Sequence, residues 1–250
     1  MSDQYRENQI LESLSKTDYL TLKDLKKQIF ASESTIKRDI VKLEKKGLVI
    51  RSHGKIISAS VFADKTIGLS FRETTEKTAK KKIANAAVNV CAKDGDVIFL
   101  DASSSAMFSV NCLTDLKDPI IITSGLKTSF LLSKTPLKFY VTGGKSINSS
   151  FSLVGQSAIE TVNRFNADLC LLSCHGLSDQ GYATDKSESE NDLRRAMMSR
   201  SKRKVLLIDA SKINKTCYNN LCHIGEFDDV FCDAVLPPEI MRSVKNFHLV

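Results

Sequence analysis

Arginine, lysine, serine and threonine recur along one short stretch of the chain at a spacing suited to a polyanion. At about 100° per residue, Ser34, Lys37, Arg38, Val41 and Lys45 share one face of a helix, and Thr35 and Lys42 complete the candidate contact set. Lysine and arginine neutralise phosphate, while arginine, serine and threonine hydrogen-bond base edges; Arg38 is the best candidate for a bidentate guanine contact. Just beyond the helix, Arg51, His53 and Gly54 sit in a short basic segment with Lys55. The chemistry points to a DNA groove.

A second group of polar residues follows short apolar runs. Asp101 precedes Ser103, Ser104 and Ser105; Thr123 precedes Ser124 and Gly125; Tyr140-Val141-Thr142 precedes Gly143, Gly144 and Lys145. Further on, Ser173 precedes His175 and Gly176, and Asp209 precedes Ser211 and Lys212. Hydroxyls and free amides suit phosphate oxygens, and Lys145, Arg194, Arg195 or Lys212 could neutralise them. Serine and glycine after strands also build ordinary turns and caps, and Asp101 and Glu190 could either bind sugar hydroxyls or cap helices. A phosphorylated small molecule is the ligand this set implies.

The elements that position these residues can be read from periodicity. Thr21 and Asp24 form a capping-box-like start for a helix with Leu22, Leu25 and Ile29 at three- and four-residue spacing. Ser32 can cap a second helix on which Ile36, Ile40 and Leu43 form a core stripe. Gly47 ends it, and Leu48–Arg51, Ser52-His53-Gly54 and Lys55–Ile57 predict a hairpin, or wing. After Lys77 the pattern becomes helices alternating with apolar runs at Val97–Asp101, Pro119–Thr123, Leu137–Gly144, Asp168–Ser173 and Lys204–Asp209. Such runs are buried parallel strands. Helices are expected between them at Ser105–Leu113, Lys127–Ser133, Ser157–Phe165 and Glu190–Ser201, giving an open, mostly parallel α/β sheet. Ligands in that architecture bind beyond the carboxyl ends of the strands.

Composition agrees with this division. Residues 1–60 hold 12 Lys and Arg against 8 Asp and Glu, a surplus of 4 within a total formal charge of +7. The 250 residues, 42% hydrophobic, suffice for one small domain and one larger core. We expect a winged helix-turn-helix over 1–58, a linker over 59–76 and a ligand-binding, oligomerising domain over 77–250. The polar N-terminus lacks an apolar signal core and no run approaches the ~18 apolar residues of a membrane span, so a cytosolic location and no membrane partner are expected. Seven cysteines, odd in number and mostly within apolar segments, argue against a disulfide framework. Neither Cys170, Cys174 and His175 nor Cys217, Cys222 and His223 has paired zinc-ligand spacing, so no metal is expected.

The stretch SESTIKRDIVKLEKKGLVIRSHG resembles the winged helix-turn-helix of the DeoR family of bacterial transcription regulators, with its Ser-x-x-Thr-Ile-(Arg/Lys)-Arg-Asp helix, Leu-Glu-x-x-Gly turn and Arg-x-His-Gly wing. Lys55 stands where a second wing glycine is usual. The resemblance continues through Gly143-Gly144, Ser152-Leu153-Val154-Gly155, Gly176, Gly181, Thr184, Glu190, Arg194-Arg195-x-Met197 and Asp209-Ala210-Ser211-Lys212, which follow the order of the family's effector domain, related in fold to ribose-5-phosphate isomerases and CoA transferases. It implies a regulator, in most cases a repressor of a carbohydrate operon, that oligomerises, binds operator DNA and answers a phosphosugar without a cofactor. Asp101, Ser103–Ser105, Gly143, Gly144, Glu190, Arg194 and Lys212 are the effector contacts it implies. Three departures concern the ligand site: Ala102-Ser103-Ser104-Ser105 lacks the glycine of the usual Ser-Gly-Thr-Thr loop, Ile147 replaces a common arginine, and Arg194 replaces a frequent lysine. A sugar-phosphate isomerase-like enzyme and a DNA-binding protein without an effector are the alternatives. No catalytic residue is assigned, because no pair of carboxylates has a recognisable catalytic spacing.

Overall fold

The computed structural model describes residues 3–15, 17, 19–46, 48–52, 54–58, 69–73 and 75–250. Gly47, His53 and most of the expected linker, 59–68, lie outside the described residues. Packing divides the chain into two units, Met1–Thr75 and Glu76–Val250.

The first unit is built on three helices, α1 (Asp3–Ser15), α2 (Leu22–Gln28) and α3 (Glu33–Lys45), with strands β1 (Leu20–Thr21), β2 (Val49–Ser52) and β3 (Lys55–Ser58). The strands form one antiparallel sheet in the order β1-β3-β2. Both expected caps form. The Thr21 hydroxyl accepts from the Asp24 amide while the Asp24 carboxylate accepts from the Thr21 amide, and Ser32 Oγ accepts from the Thr35 amide at 3.2 Å. Ile10, Leu14, Leu25, Ile36 and Leu43 are fully buried together, each contributing about 1.5–3 kcal/mol by leaving water.

The first helix is an addition to the sequence reading, because its polar composition hides two inward positions, Ile10 and Leu14. It is tied to α3 by polar contacts as well. Arg6 Nε donates to Asp39 Oδ2 at 2.8 Å, with Asp39 almost wholly buried, and Lys46 donates to Glu7 at 2.6 Å. A short helix, Leu69–Arg72, falls within the segment expected to be an extended linker.

The second unit carries β4 (Val97–Leu100), β5 (Ile120–Thr123), β6 (Lys138–Val141), β7 (Lys145–Ile147), β8 (Ser152–Val154), β9 (Ala167–Leu172), β10 (Gly176–Leu177), β11 (Tyr182–Asp185), β12 (Ser201–Leu207), β13 (Asn219–His223), β14 (Asp229–Cys232) and β15 (Asn246–Leu249). Seven of them form one sheet in the order β15-β14-β12-β9-β4-β5-β6, with every pairing parallel. Alternating side chains make two cores. Phe99, Cys170, Leu172 and Leu206 pack with Ala158, Val162, Leu193 and Met197 of the helices Gln156–Asn163 and Glu188–Ser199. Ile98, Leu100, Leu171 and Leu207 pack with Ile83, Ala87 and Val88 of the helix Lys77–Cys91.

All five strands expected from the apolar runs are present, and β14 and β15 extend the sheet beyond them. The helix expected over Ser105–Leu113 is divided into Ser104–Met107 and Val110–Leu113. The chain builds β4, β5 and β6 in one direction and then returns to place β9 on the other side of β4. That reversal opens a crevice at the carboxyl ends of β4 and β9, where Asp101 and Ser173 follow the strands.

Asp39→Ala is expected to leave the largely buried Arg6 without its carboxylate and to destabilise the first unit by about 3 kcal/mol. Denaturant unfolding monitored within that unit checks this; a loss below about 0.5 kcal/mol would show that the pair does not position α3.

Candidate functional site

On α3 the apolar stripe and Asp39 face inward, leaving Ser34, Lys37 and Arg38 exposed. The Ser34 and Thr35 hydroxyls lie 2.9 and 2.8 Å from Ser32 Oγ, so both belong to the cap of the helix that carries them. Lys37 pairs with Glu33 at 2.8 Å one helical turn back, and Arg51 Nε donates to Glu44 at 2.8 Å. Hydrogen bonding to Lys37 and to Arg51 holds the Glu33 and Glu44 carboxyls below their ordinary range. Lys42 is half-buried. Among the described residues Arg38 has neither ion pair nor hydrogen bond, which leaves its guanidinium available to an incoming acceptor.

Gly54, at φ +76°, turns the wing between Ser52 and Lys55, and the Lys55 ammonium lies 4.1 Å from the Tyr19 ring centroid. A groove of about 360 Å³ runs between α3 and the wing, lined by Lys37, Glu44, Arg51, Gly54 and Lys55 among others. Of the wing residues in the contact set, His53 alone lies outside the described residues.

At the strand ends of the second unit a buried polar network centres on Arg194. Its Nε donates to Asp101 Oδ2 at 2.9 Å, and its Nη1 donates to Asp185 Oδ2 at 2.7 Å and Asn191 Oδ1 at 3.1 Å. Asp101 also accepts from the Ser103 amide at 2.9 Å and the Ser173 amide at 3.3 Å, while His175 Nδ1 meets Asp185 Oδ1 at 2.8 Å. Burial pushes the Asp185 carboxyl up, but Arg194 and His175 outweigh it and hold the group below the usual carboxylate range. Burial likewise works against the Arg194 cation, and the charges of Asp185, Asp101 and Glu190 more than restore it.

Lys212 joins the network from the other side. Its ammonium donates to Ser173 Oγ at 2.6 Å and Ser105 Oγ at 3.4 Å, and the Asp209 carboxylate stands 3.9 Å away. Lys80, 4.0 Å from the same carboxylate, is buried beside it. Burial pushes Asp209 up, and Lys212 and Lys80 together bring it below its ordinary value. Glu190 is almost completely buried, and among the described residues no side-chain hydrogen bond or ion pair within 4 Å engages its carboxylate, which acts on Arg194 through its charge. Ser103 caps the helix Ser104–Met107 by accepting from the Ala106 amide at 3.1 Å.

The structure thus brings Asp101, Ser103, Ser105, Arg194 and Lys212 into one bonded network. It also alters the role of Arg194, whose guanidinium is committed to two carboxylates and is not a spare anion-binding charge. Arg195 points elsewhere, donating to the Leu221 and Asn220 carbonyls. No hydrogen bond or ion pair joins Thr123, Gly143, Gly144 or Lys145 to the network. The Thr123 hydroxyl accepts from the Gly125 amide in its own turn, and Lys145 is exposed on β7. At Gly144, with φ +105°, a Cβ would meet the Val154 carbonyl oxygen at 2.5 Å, so this glycine allows the β7–β8 hairpin to close.

Three members, Lys80, Asp185 and Asn191, were missed in the sequence. Lys80 had a readable signal, lying three and seven residues before Ile83 and Ala87 on one helical stripe. Asp185 had none, because a separate small sheet, β10-β11-β13, carries it inward. The thiols of Cys170 and Cys174 are each pushed up to about 12 by burial. Among the described residues, no three His, Cys, Asp or Glu side chains gather as metal ligands.

A winged helix-turn-helix joined to a parallel α/β unit with a polar strand-end network defines a DNA-binding regulator with a sensor domain. The chain belongs to the DeoR family of transcriptional regulators: residues 6–61 match its DeoR-like helix-turn-helix domain and residues 75–234 its DeoR C terminal sensor domain. It is 30% identical over 248 residues to the L-fucose operon activator of Haemophilus influenzae, covering 98% of each chain. It is 22% identical over 252 residues to the glycerol-3-phosphate regulon repressor of Escherichia coli, covering 100% of this chain and 98% of that one. Among solved structures, ribose 5-phosphate isomerase A from Methanocaldococcus jannaschii aligns with a TM-score of 0.42 and 16% identity, over 56% of this chain and 55% of that one.

Arg194→Met should strand two buried carboxylates and destabilise the second unit by about 3–5 kcal/mol at pH 7. The depressed Asp185 group stabilises the native state above its unfolded pKa, about 3.9, and loses that contribution as pH falls through its lower native value. Urea unfolding at pH 7 and progressively below pH 4 should therefore show the difference between parent and variant shrinking with acid. A pH-independent difference would exclude this ionic role.

Proposed function

We propose that the protein is a cytoplasmic, homo-oligomeric repressor of a carbohydrate-metabolism operon, released from its operator by a phosphorylated sugar. Its parts would be a DNA-binding domain over 1–58, a linker over 59–76 and an effector-binding, oligomerising domain over 77–250. Ser34, Thr35, Lys37, Arg38, Lys42, Arg51, His53 and Gly54 would meet DNA, with Arg38 reading a base edge and the lysines meeting phosphate. Lys37 and Arg51 would exchange their surface carboxylates for phosphate, at small cost because exposed pairs contribute only about 0–1 kcal/mol.

The observation that carries the sensing half is the environment of Lys212. Its ammonium is held by two serine hydroxyls at the topological crevice, with the nearest carboxylate at 3.9 Å, so an anion entering there meets a positioned donor set. Ser103–Ser105 would surround the phosphate and Glu190 would accept from sugar hydroxyls. Asp101 and Arg194 would hold the loops, while Thr123, Gly143, Gly144 and Lys145 would form the adjoining rim. A relative named for a glycerol-3-phosphate regulon supports both a small phosphorylated effector and repression. The ion pair between Asp101 and Arg194 removes one candidate general base, which favours binding over isomerase chemistry.

One small module contacts few bases, so oligomerisation would supply paired half-sites about one helical turn, or a multiple, apart. Effector binding would favour a subunit arrangement that no longer matches that spacing.

Fluorescence anisotropy with the DNA upstream of the protein's own operon, with and without a panel of sugar phosphates, tests the reading directly. Salt-sensitive binding released by one compound is expected; affinity unchanged by every compound would reject the effector mechanism. Arg38→Ala should reduce operator discrimination by about 1–3 kcal/mol and leave sugar-phosphate binding intact. Lys212→Ala should abolish release while basal operator affinity stays within about twofold; retained release would place the anion site elsewhere. A reporter fused to the same promoter distinguishes repression from activation by the sign of the change when the gene is deleted.

A further inference from the structure

Nearly all the excess positive charge of the second unit lies in one segment. Residues 119–159 contain Lys127, Lys134, Lys138 and Lys145 and no Asp or Glu, whereas the rest of residues 76–250 holds 18 Lys and Arg against 19 Asp and Glu. The fold brings this segment together at one edge of the large sheet. The helix Leu126–Leu132, the edge strand β6 and the β7–β8 hairpin are contiguous. β6 pairs only with β5, and the hairpin is bonded to the start of the helix through the Leu126 amide and the Phe151 carbonyl.

The same edge exposes apolar rings, and a lysine stands over each. Phe130 is 62% exposed with the Lys134 ammonium 4.2 Å from its centroid; Lys127 lies 5.3 Å from Phe151 and Lys138 lies 5.9 Å from Tyr140. Cation–π contact restrains these long side chains without neutralising them. Lys134, Lys138 and Lys145 have no ion pair among the described residues. The result is a basic, aromatic face on which Lys134, Lys138 and Lys145 keep their charges unpaired among the described residues.

We propose that this face is a second DNA-binding surface, which takes the phosphate backbone of duplex DNA without reading sequence. The charge argument decides between occupants. A second copy docking by the same face would set Lys134, Lys138 and Lys145 against their own like charges. DNA supplies a dense row of phosphates and is already brought to the chain by the winged unit. Lys145 also borders the proposed sugar-phosphate pocket, so the test leaves it unchanged and uses no effector.

The test compares the full-length protein with a Lys134→Gln, Lys138→Gln variant on operator DNA and on unrelated duplex, across a series of salt concentrations. Each lost phosphate contact lowers the slope of log affinity against log salt by about 0.9, so the variant should lose about 2 units of slope on both DNAs. Its ratio of operator to unrelated affinity should stay unchanged, because α3 still reads the bases. Both side chains are exposed, so thermal unfolding serves as the control for folding, and the corresponding Lys→Arg double variant should restore the slope. Slopes and affinities equal to those of the parent would overturn the proposal and leave the face to an acidic protein partner. A changed operator ratio with an unchanged slope would also overturn it.

Discussion

The second unit depends on a cation buried where no single element could hold it. Arg194 reaches from the helix Glu188–Ser199 to Asp101 after β4 and to Asp185 at the end of β11, with only 5% of its side chain exposed. Such a charge is tolerable only when its desolvation is repaid by closely placed opposite charges and its remaining donors are satisfied. Asp101 and Asp185 provide the charge, and Asn191 accepts the additional bond. The arrangement fixes the loop after β4 against the helix and against the small sheet. With Asp101 fixed, the amides of Ser103 and Ser173 are fixed with it, and Ser173 in turn positions Lys212. The Lys212 ammonium is therefore set in place through the buried Arg194.

The first unit follows a related economy of charge. Its inward pair, Arg6 with Asp39, orients α3 from behind, so the residue immediately after Arg38 works on the opposite face. Outward charges are handled differently. Lys37 and Arg51 rest on Glu33 and Glu44 in water, where such pairs cost little to exchange, and Arg38 has no partner to give up. Ser34 and Thr35, through their contacts with Ser32, couple the helix cap to the surface they help form. The α3 surface is pre-positioned, and its ionic partners can give way to phosphate.

Much of this was legible from period and end signals. The stripe Ile36, Ile40, Leu43 and the caps at Thr21 and Ser32 describe α2 and α3 because local geometry decides them, and the five continuous apolar runs became five adjacent strands. The reading weakened where tertiary contact decides. α1 exposes a polar surface around two inward apolar residues; β14 and β15 are four-residue strands beside acidic or polar neighbours. Asp185 enters the network through a sheet too small to leave a periodic trace. Arg194 was expected to meet an anion at the strand ends and is found bonded to two carboxylates there, because whether a buried arginine serves a ligand or two carboxylates depends on distances that spacing does not encode.

The loop Ala102–Ser105 shows how a departure from a family pattern is absorbed. A glycine there would permit positive φ and close backbone approach, yet Ser103 takes φ −74°, an ordinary extended value for a helix cap. The close approach is supplied instead by the neighbouring loop. A Cβ on Gly125 would lie 3.2 Å from the Ala102 Cα and 2.8 Å from Thr128 Oγ1, so the glycine at 125 lets its loop approach the Ala102 backbone and the Thr128 side chain. The amide of Ser103 still donates to Asp101, and the hydroxyl of Ser105 still faces the Lys212 ammonium. The loop without its glycine thus keeps the Ser103 amide on Asp101 and the Ser105 hydroxyl beside Lys212, because a serine at 103 adopts the cap conformation with no need of a positive φ.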